Sequence, residues 1–220
     1  MKIEESIKFF IFLLLVFSLP RTHGIENKQL HNLDSYLVYD LVGLDVFFEI
    51  VDPPELEYTY RLRPARDFGV PFNDSFSEKG IALVPYEPAT ACVPATNAAQ
   101  LRGRVALVAR GRCTFHTKSI MAEEAGAKAV IVADYHPVDP DEARKTSLRA
   151  DYYYIDMVVD DAVPELKSVN IPAGFLLGKN GMVIRQTLER LNLQYALINI
   201  PVNLTFAPIN KLHQPPWHSW

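Results

Sequence analysis

VALVARGRCTFHTKSIMAEEAGAKAVIVAD, residues 105–134, decides the fold class. Val105-Ala106-Leu107-Val108 and Ala129-Val130-Ile131-Val132 are apolar at every position, as strands covered on both faces are. Between them Thr114 stands where a helix N-cap belongs, and Thr117 to Ala125 is helix-permissive. Ile120, Met121 and Ala125 supply an apolar side, with Glu123 and Glu124 outward, and Gly126 stops the helix. Strand, helix and strand over about thirty residues predict a right-handed crossover between parallel strands.

Outward from this unit the pattern stays strand-rich. Val46 to Val51 and Tyr58 to Leu62 read as two strands joined by the turn Asp52-Pro53-Pro54-Glu55. Arg66 to Gly80 reads as a surface loop, Ile81 to Val84 as a short buried strand, and Pro88 to Gln100 as an irregular stretch holding Cys92. Phe175 to Leu177 predicts a strand, Gly178 to Gly181 a turn and Val183 to Leu191 an amphipathic helix with Ile184, Leu188 and Leu191 on one face. Ala196 to Ile200 is the last strand.

The 220 residues are 49% hydrophobic and 22% charged, which excludes a disordered polymer and a polytopic membrane protein. Lysine and arginine number 22 against 26 acids, a net charge of −4 that gives no sign of a nucleic-acid surface. Phe9 to Leu19 is an unbroken apolar run behind Lys2 and Lys8, with Thr22 and Gly24 three and one before a cut after Gly24. That layout predicts a signal peptide over 1–24, although Glu4 and Glu5 are atypical of it. As a membrane anchor the run would reach only about half of a ~30 Å hydrocarbon layer. No membrane span is expected in the mature chain, and the protein is expected to be secreted into the extracellular space.

Cys92 and Cys113 are the two cysteines, and an even count in an oxidising compartment predicts a disulfide. A redox or nucleophilic thiol lacks its usual context, with no Cys-x-x-Cys and only His116 nearby as a base. Asn73-Asp74-Ser75 and Asn203-Leu204-Thr205 are N-glycosylation sequons. The acidic run 136–165 reads as a solvated loop; its carboxylates suit calcium, but the ordered ligands and central glycine of an EF-hand are missing. The tail Leu212 to Trp220 carries two tryptophans in four residues, which either pack back onto the domain or form a docking strip.

A search for chemistry finds no Gly-x-Ser-x-Gly elbow and no His-Glu-x-x-His helix. Gly178-Lys179-Asn180-Gly181 lacks the spacing of a phosphate loop, and His213 with His218 makes a poor metal pair. No catalytic, cofactor-binding or metal-ligating residue is therefore expected.

Val105 to Lys118 followed by Ala125 to Val132, then Ile171-Pro172-Ala173-Gly174-Phe175-Leu176-Leu177 and Gly181, resembles the signature of the protease-associated (PA) domain. The resemblance implies an α+β fold, a β-sandwich or open β-barrel with a few flanking helices in a single domain. It divides the chain into a signal peptide 1–24, an N-terminal segment 25–45, a PA domain 46–203 with its core at 80–200, and a Pro/Trp-containing tail 204–220. In that family the module accompanies subtilisin-like proteases, zinc aminopeptidases, transferrin receptors, vacuolar sorting receptors and membrane ubiquitin ligases. It serves there as a lid, a substrate-selecting surface or a ligand-binding module, and has no catalytic residues of its own. Arg110, Gly111, Phe115 and Gly126 read as scaffold, with Phe115 plugging the core beneath the helix. The expectation is a secreted, N-glycosylated, non-catalytic module for a protein or peptide ligand. Its alternatives are a regulatory subunit acting in trans on a secretory-pathway protease, or a luminal sorting factor. Trp217-His218-Ser219-Trp220 is not a retrieval signal, which argues against the last.

Overall fold

The apolar pentads at 105–109 and 129–133 form neighbouring parallel strands, paired from Val105 with Ala129 through Ala109 with Ala133. In a computed structural model, residues 45–73, 75–134, 155–159, 167–204 and 213–217 are described. Among these residues, seven strands and three α-helices follow in chain order: β1 (Val46–Asp52), β2 (Thr59–Pro64), β3 (Glu78–Pro85), α1 (Ala98–Leu101), β4 (Val105–Ala109), α2 (Phe115–Glu124), β5 (Ala129–Ala133), β6 (Ala173–Leu176), α3 (Asn180–Arg190) and β7 (Ala196–Val202). A 3-10 turn at Pro54–Leu56 joins β1 to β2, at the proline-rich connection the sequence predicts. All described residues fall in one compact unit, Leu44–Trp220.

The sheet runs β1-β2-β6-β5-β4-β3-β7 and closes into a barrel. Closure comes from β7, which pairs antiparallel with both β3 and β1, so that Ile198 lies opposite Ile81 on one side and Ile50 on the other. β3, β4, β5 and β6 run parallel to one another, and β1, β2 and β7 supply the antiparallel part. The α+β class and barrel-like sheet are those the resemblance implies, and the closure removes exposed strand edges.

Alternation along each strand splits the apolar residues into two cores. Val105, Leu107 and Ile131 join Phe48, Tyr60, Leu62, Leu83 and Ile198 inside the barrel. Ala106, Val108, Val130, Val132 and Phe175 face outward, against Leu101 of α1 and Ala122 of α2. Both faces of β4 and β5 are thus buried, each large side chain contributing roughly 1.5–3 kcal/mol. α2 starts where Thr114 was expected to cap it, the threonine hydroxyl accepting from the Thr117 amide at 3.1 Å. Gly126 ends it with φ of +84°, a left-handed conformation that favours glycine. Phe115 is half-buried and stands edge-on to Phe175 at 6.0 Å, beside the outer core rather than inside the barrel. α1, within the stretch read as irregular, is a single turn too short to show a periodic pattern.

The strand directions give the barrel two distinct ends. At the end where the parallel strands finish stand the 3-10 turn, the start of α3 and the turn after β4. At the opposite end lie the loop before β3, which carries Asn73, and the residues just after β7, which include Asn203. Lys128 Nζ and Glu78 Oε1, 2.6 Å apart, tie the starts of β5 and β3 together there. Residues 1–24, the proposed signal peptide, and nearly all of the acidic run 136–165 lie outside the described residues. Among the described residues no helix is long and apolar enough to cross a membrane.

Gly174 on β6 tests the packing of the interior. A Cβ there would sit 2.6 Å from Cγ of Leu62, a side chain with no solvent exposure. Gly174→Ala is expected to destabilise by about 1–3 kcal/mol through overpacking. Urea denaturation checks this, and an unchanged midpoint would contradict the packing described.

Candidate functional site

Three features gather at the barrel end where the parallel strands finish. The first is the turn leaving β4. Gly111 (φ +97°) and Arg112 (φ +68°) are both left-handed, so the chain reverses sharply before entering α2. Cys113 is bonded to Cys92, 21 residues earlier, which fastens the turn to the loop after β3. By the chain-entropy model such a bridge stabilises by roughly 3 kcal/mol. Beneath it lies Lys118 of α2, fully excluded from solvent. Its Nζ donates to the carbonyl oxygens of Thr90 at 2.5 Å and Gly111 at 2.6 Å, and stands 3.6 Å from each cysteine Sγ. Burial lowers its amine to about 8. Arg110 pairs with the nearly buried Asp134 at 3.5 Å, joining the ends of β4 and β5.

The second feature is the C-terminal tail. His213 O accepts from the Thr59 amide at 2.8 Å, Pro215 is buried, and the Trp217 indole donates to Asn180 Oδ1 at 2.9 Å. Tyr58 lies between the tail's rings, 4.7 Å from His213 and 5.2 Å edge-on to Trp217. Of the two readings of the tail, residues 213–217 take the first and pack back on the domain. Asn180, buried at the start of α3, also donates to Leu177 O at 2.8 Å, so one amide locks strand end, helix start and tail.

The third is a cavity of about 410 Å³ between α1 and α3, lined chiefly by Asn97, Gln100, Arg185, Glu189, Asn192 and Gln194. Arg185 reaches Glu87 at 2.5 Å and Glu189 at 2.6 Å, a charged chain along its wall. Asn97 is fixed by backbone, its Oδ1 accepting from Glu87 N at 3.0 Å and its Nδ2 donating to Pro85 O at 2.9 Å. Gln100 donates to Gln194 Oε1 at 3.4 Å across the opening. With Asn97 taken up by backbone and by Gln100, the amides of Gln100, Asn192 and Gln194 carry the remaining hydrogen-bonding capacity at the opening. This cavity escaped the sequence, because its two walls lie some 90 residues apart in the chain.

The sequon asparagines Asn73 and Asn203 are both exposed, at the barrel end remote from these three features. Asn73 Oδ1 accepts from the Ser75 amide at 3.0 Å, forming a local turn. Among the described residues, no group of three His, Cys, Asp or Glu side chains is placed to hold a metal ion.

The strand–helix–strand unit and the fastened turn fall within a family match: the PA domain model matches residues 79–184. Over 181 residues, 82% of this chain and 85% of the other, the sequence is 50% identical to the PRADC1-like protein of Drosophila melanogaster. The chain belongs to the PA-domain family. A shorter likeness, 51% over 41 residues, links 19% of the chain to 8% of the probable leucine aminopeptidase 2 of Aspergillus fumigatus. Among solved structures, a zinc aminopeptidase of Bacillus subtilis, BSAP, is similar at 19% identity and a TM-score of 0.37. That likeness covers 70% of this chain and 29% of that one.

The buried ionisable groups give opposite pH trends. The Lys118 amine sits near 8 in the fold against 10.5 when free, so the cost of burying its charge is present below pH 8 and lifts towards pH 10.5. Burial, with Glu124 adding to it, pushes the Tyr86 hydroxyl up from 10.0 to about 12. Its stabilisation is complete below pH 10 and is lost as pH rises through 12. The unfolding free energy from urea titration is expected to rise between pH 7.5 and 9.5, by on the order of 1 kcal/mol, and to fall above pH 10. In Lys118→Met the rise should vanish while the fall persists; a flat wild-type profile would contradict the burial of the amine.

Proposed function

We propose that this protein is a secreted, N-glycosylated, non-catalytic binding module that holds an extended peptide segment of a partner protein in the cavity between α1 and α3. The observation that carries the reading is the distribution of features between the two ends of the barrel. The cavity, the docked tail and the fastened turn share one end, and both sequons stand at the other. Glycans on Asn73 and Asn203 would shield their own end and leave the cavity open. At the cavity wall Arg185 bridges Glu87 and Glu189, and elsewhere on the same rim Arg110 holds Asp134 and Lys118 holds two carbonyls, so these groups are engaged in holding the fold. That engagement favours recognition over bond-making. Export rests on the apolar leader and agrees with the disulfide.

A second reading, a subunit acting in trans on a peptidase, is favoured by the short likeness to the Aspergillus aminopeptidase. In that case the cavity end faces an enzyme rather than free cargo. Co-purification from secretory-pathway material distinguishes the two: a peptidase as main partner favours the subunit, and a receptor or cargo protein favours the free binder.

Screening a displayed library of linear peptides against the purified glycoprotein tests the binding claim. Selected peptides are expected to lose at least about tenfold in affinity, about 1.4 kcal/mol, on Gln100→Ala or Arg185→Ala. Equal affinity for wild type and both variants would place binding elsewhere, and peptide hydrolysis by the purified protein would overturn the non-catalytic reading. Separately, glycosidase treatment should lower the apparent mass, and each of Asn73→Gln and Asn203→Gln should remove part of that shift. An unchanged mass would exclude the glycans.

A further inference from the structure

The position of Lys118 exceeds what a structural disulfide needs. An ammonium has three donors, and two are used by the Thr90 and Gly111 carbonyls, with both sulfurs within 3.6 Å of the same nitrogen. Beside an intact bridge the positive charge faces neutral sulfur and gains little. Beside a thiolate it gains more, because the amine is buried on its own side of the bridge and the ionic attraction is only partly screened there. The bridge itself is within reach of solvent: Cys92 and Cys113 are half-buried, and their neighbours Val93 and Arg112 are exposed.

We propose that Cys92–Cys113 is a thiol–disulfide exchange site, open to a dithiol reductant, at which the Lys118 ammonium stabilises the departing thiolate. A thiolate of the reductant attacks one Sγ and forms a mixed disulfide. The other Sγ leaves with the electron pair of the broken S–S bond and is held as thiolate by Lys118. The reductant's second thiolate then attacks its own sulfur in the mixed disulfide and releases the remaining cysteine, which takes up a proton. Two electrons pass from the reductant, which becomes a disulfide, to the two cysteine sulfurs. Since Nζ is equidistant from the sulfurs, either can be the leaving group.

Other charged groups on the surrounding elements are accounted for. Arg110 pairs with Asp134, and Glu87 of the Cys92 loop with Arg185. Arg112 is exposed, and His116 on α2 is buried edge-on to Phe68 at 5.7 Å. Among the described residues Lys118 is the charged group in contact with the bridge, a cationic context that the sequence, lacking a Cys-x-x-Cys motif, did not display.

The purified full chain is equilibrated with mixtures of reduced and oxidised dithiothreitol, and its free thiols are counted by maleimide mass shift. Lys118→Met is expected to make the bridge at least about tenfold harder to reduce than in wild type. Arg112→Met should stay within about twofold of wild type, which separates the buried amine from the general charge of the turn. In the reduced wild type, iodoacetamide alkylation against pH should show one thiol ionising at least about one unit below the ~8.5 of a free cysteine. This profile decides the matter if Lys118→Met does not fold. Equal reduction constants for wild type and a folded Lys118→Met, or two wild-type thiols titrating at or above the free value, would overturn the proposal.

Discussion

Everything else in this structure depends on the pairing of β7 with two partners. An open sheet would have one edge at β3 and another at β1; β7 lies between them, with Ile198 opposite both Ile81 and Ile50. Once the sheet is closed its interior is a sealed core. The short parallel strands then present an outer face that α1 and α2 cover, and the molecule acquires two ends of different character. Among the described residues the interior is filled by large apolar side chains such as Phe48, Tyr60, Leu62 and Ile131.

The division between the ends follows from topology. Parallel strands finish together, so the turn after β4, the loop after β3 and the start of α3 converge on one rim. There the chain adds its fastenings: the disulfide, the buried lysine, the Arg110–Asp134 pair and the Trp217–Asn180 bond. A rim held by this many covalent and polar ties is pre-organised; under the proposed function, that would lower the entropic cost of taking up a flexible peptide.

How much of this was legible beforehand depended on range. β4 and β5 could be read from the sequence because burial on both faces leaves runs without polar interruption. Thr114 and Gly126 could be read because capping is local. The burial of Lys118 could not. A lysine on a helix ordinarily points to water, and this one is held by carbonyls from residue 90, 28 positions away, and residue 111. The weak amphipathicity of α2 has the same origin, since its buried side carries His116, Lys118 and Ser119 beside Ile120 and Ala122. The cavity is a product of tertiary folding alone, because Asn97 and Gln194 become neighbours only when β7 returns along β3.

The central claim, that partners are met at the rim bearing α1 and α3 and not at the sequon-bearing end, is open to one direct measurement. A photoreactive side chain is placed at Leu193, exposed on the cavity wall, in one version of the glycosylated protein and at Lys79 in another, and adducts with the selected peptides are counted after irradiation. The account predicts adducts from position 193 and background levels from position 79. Adducts from position 79 that equal or exceed those from position 193 would contradict it.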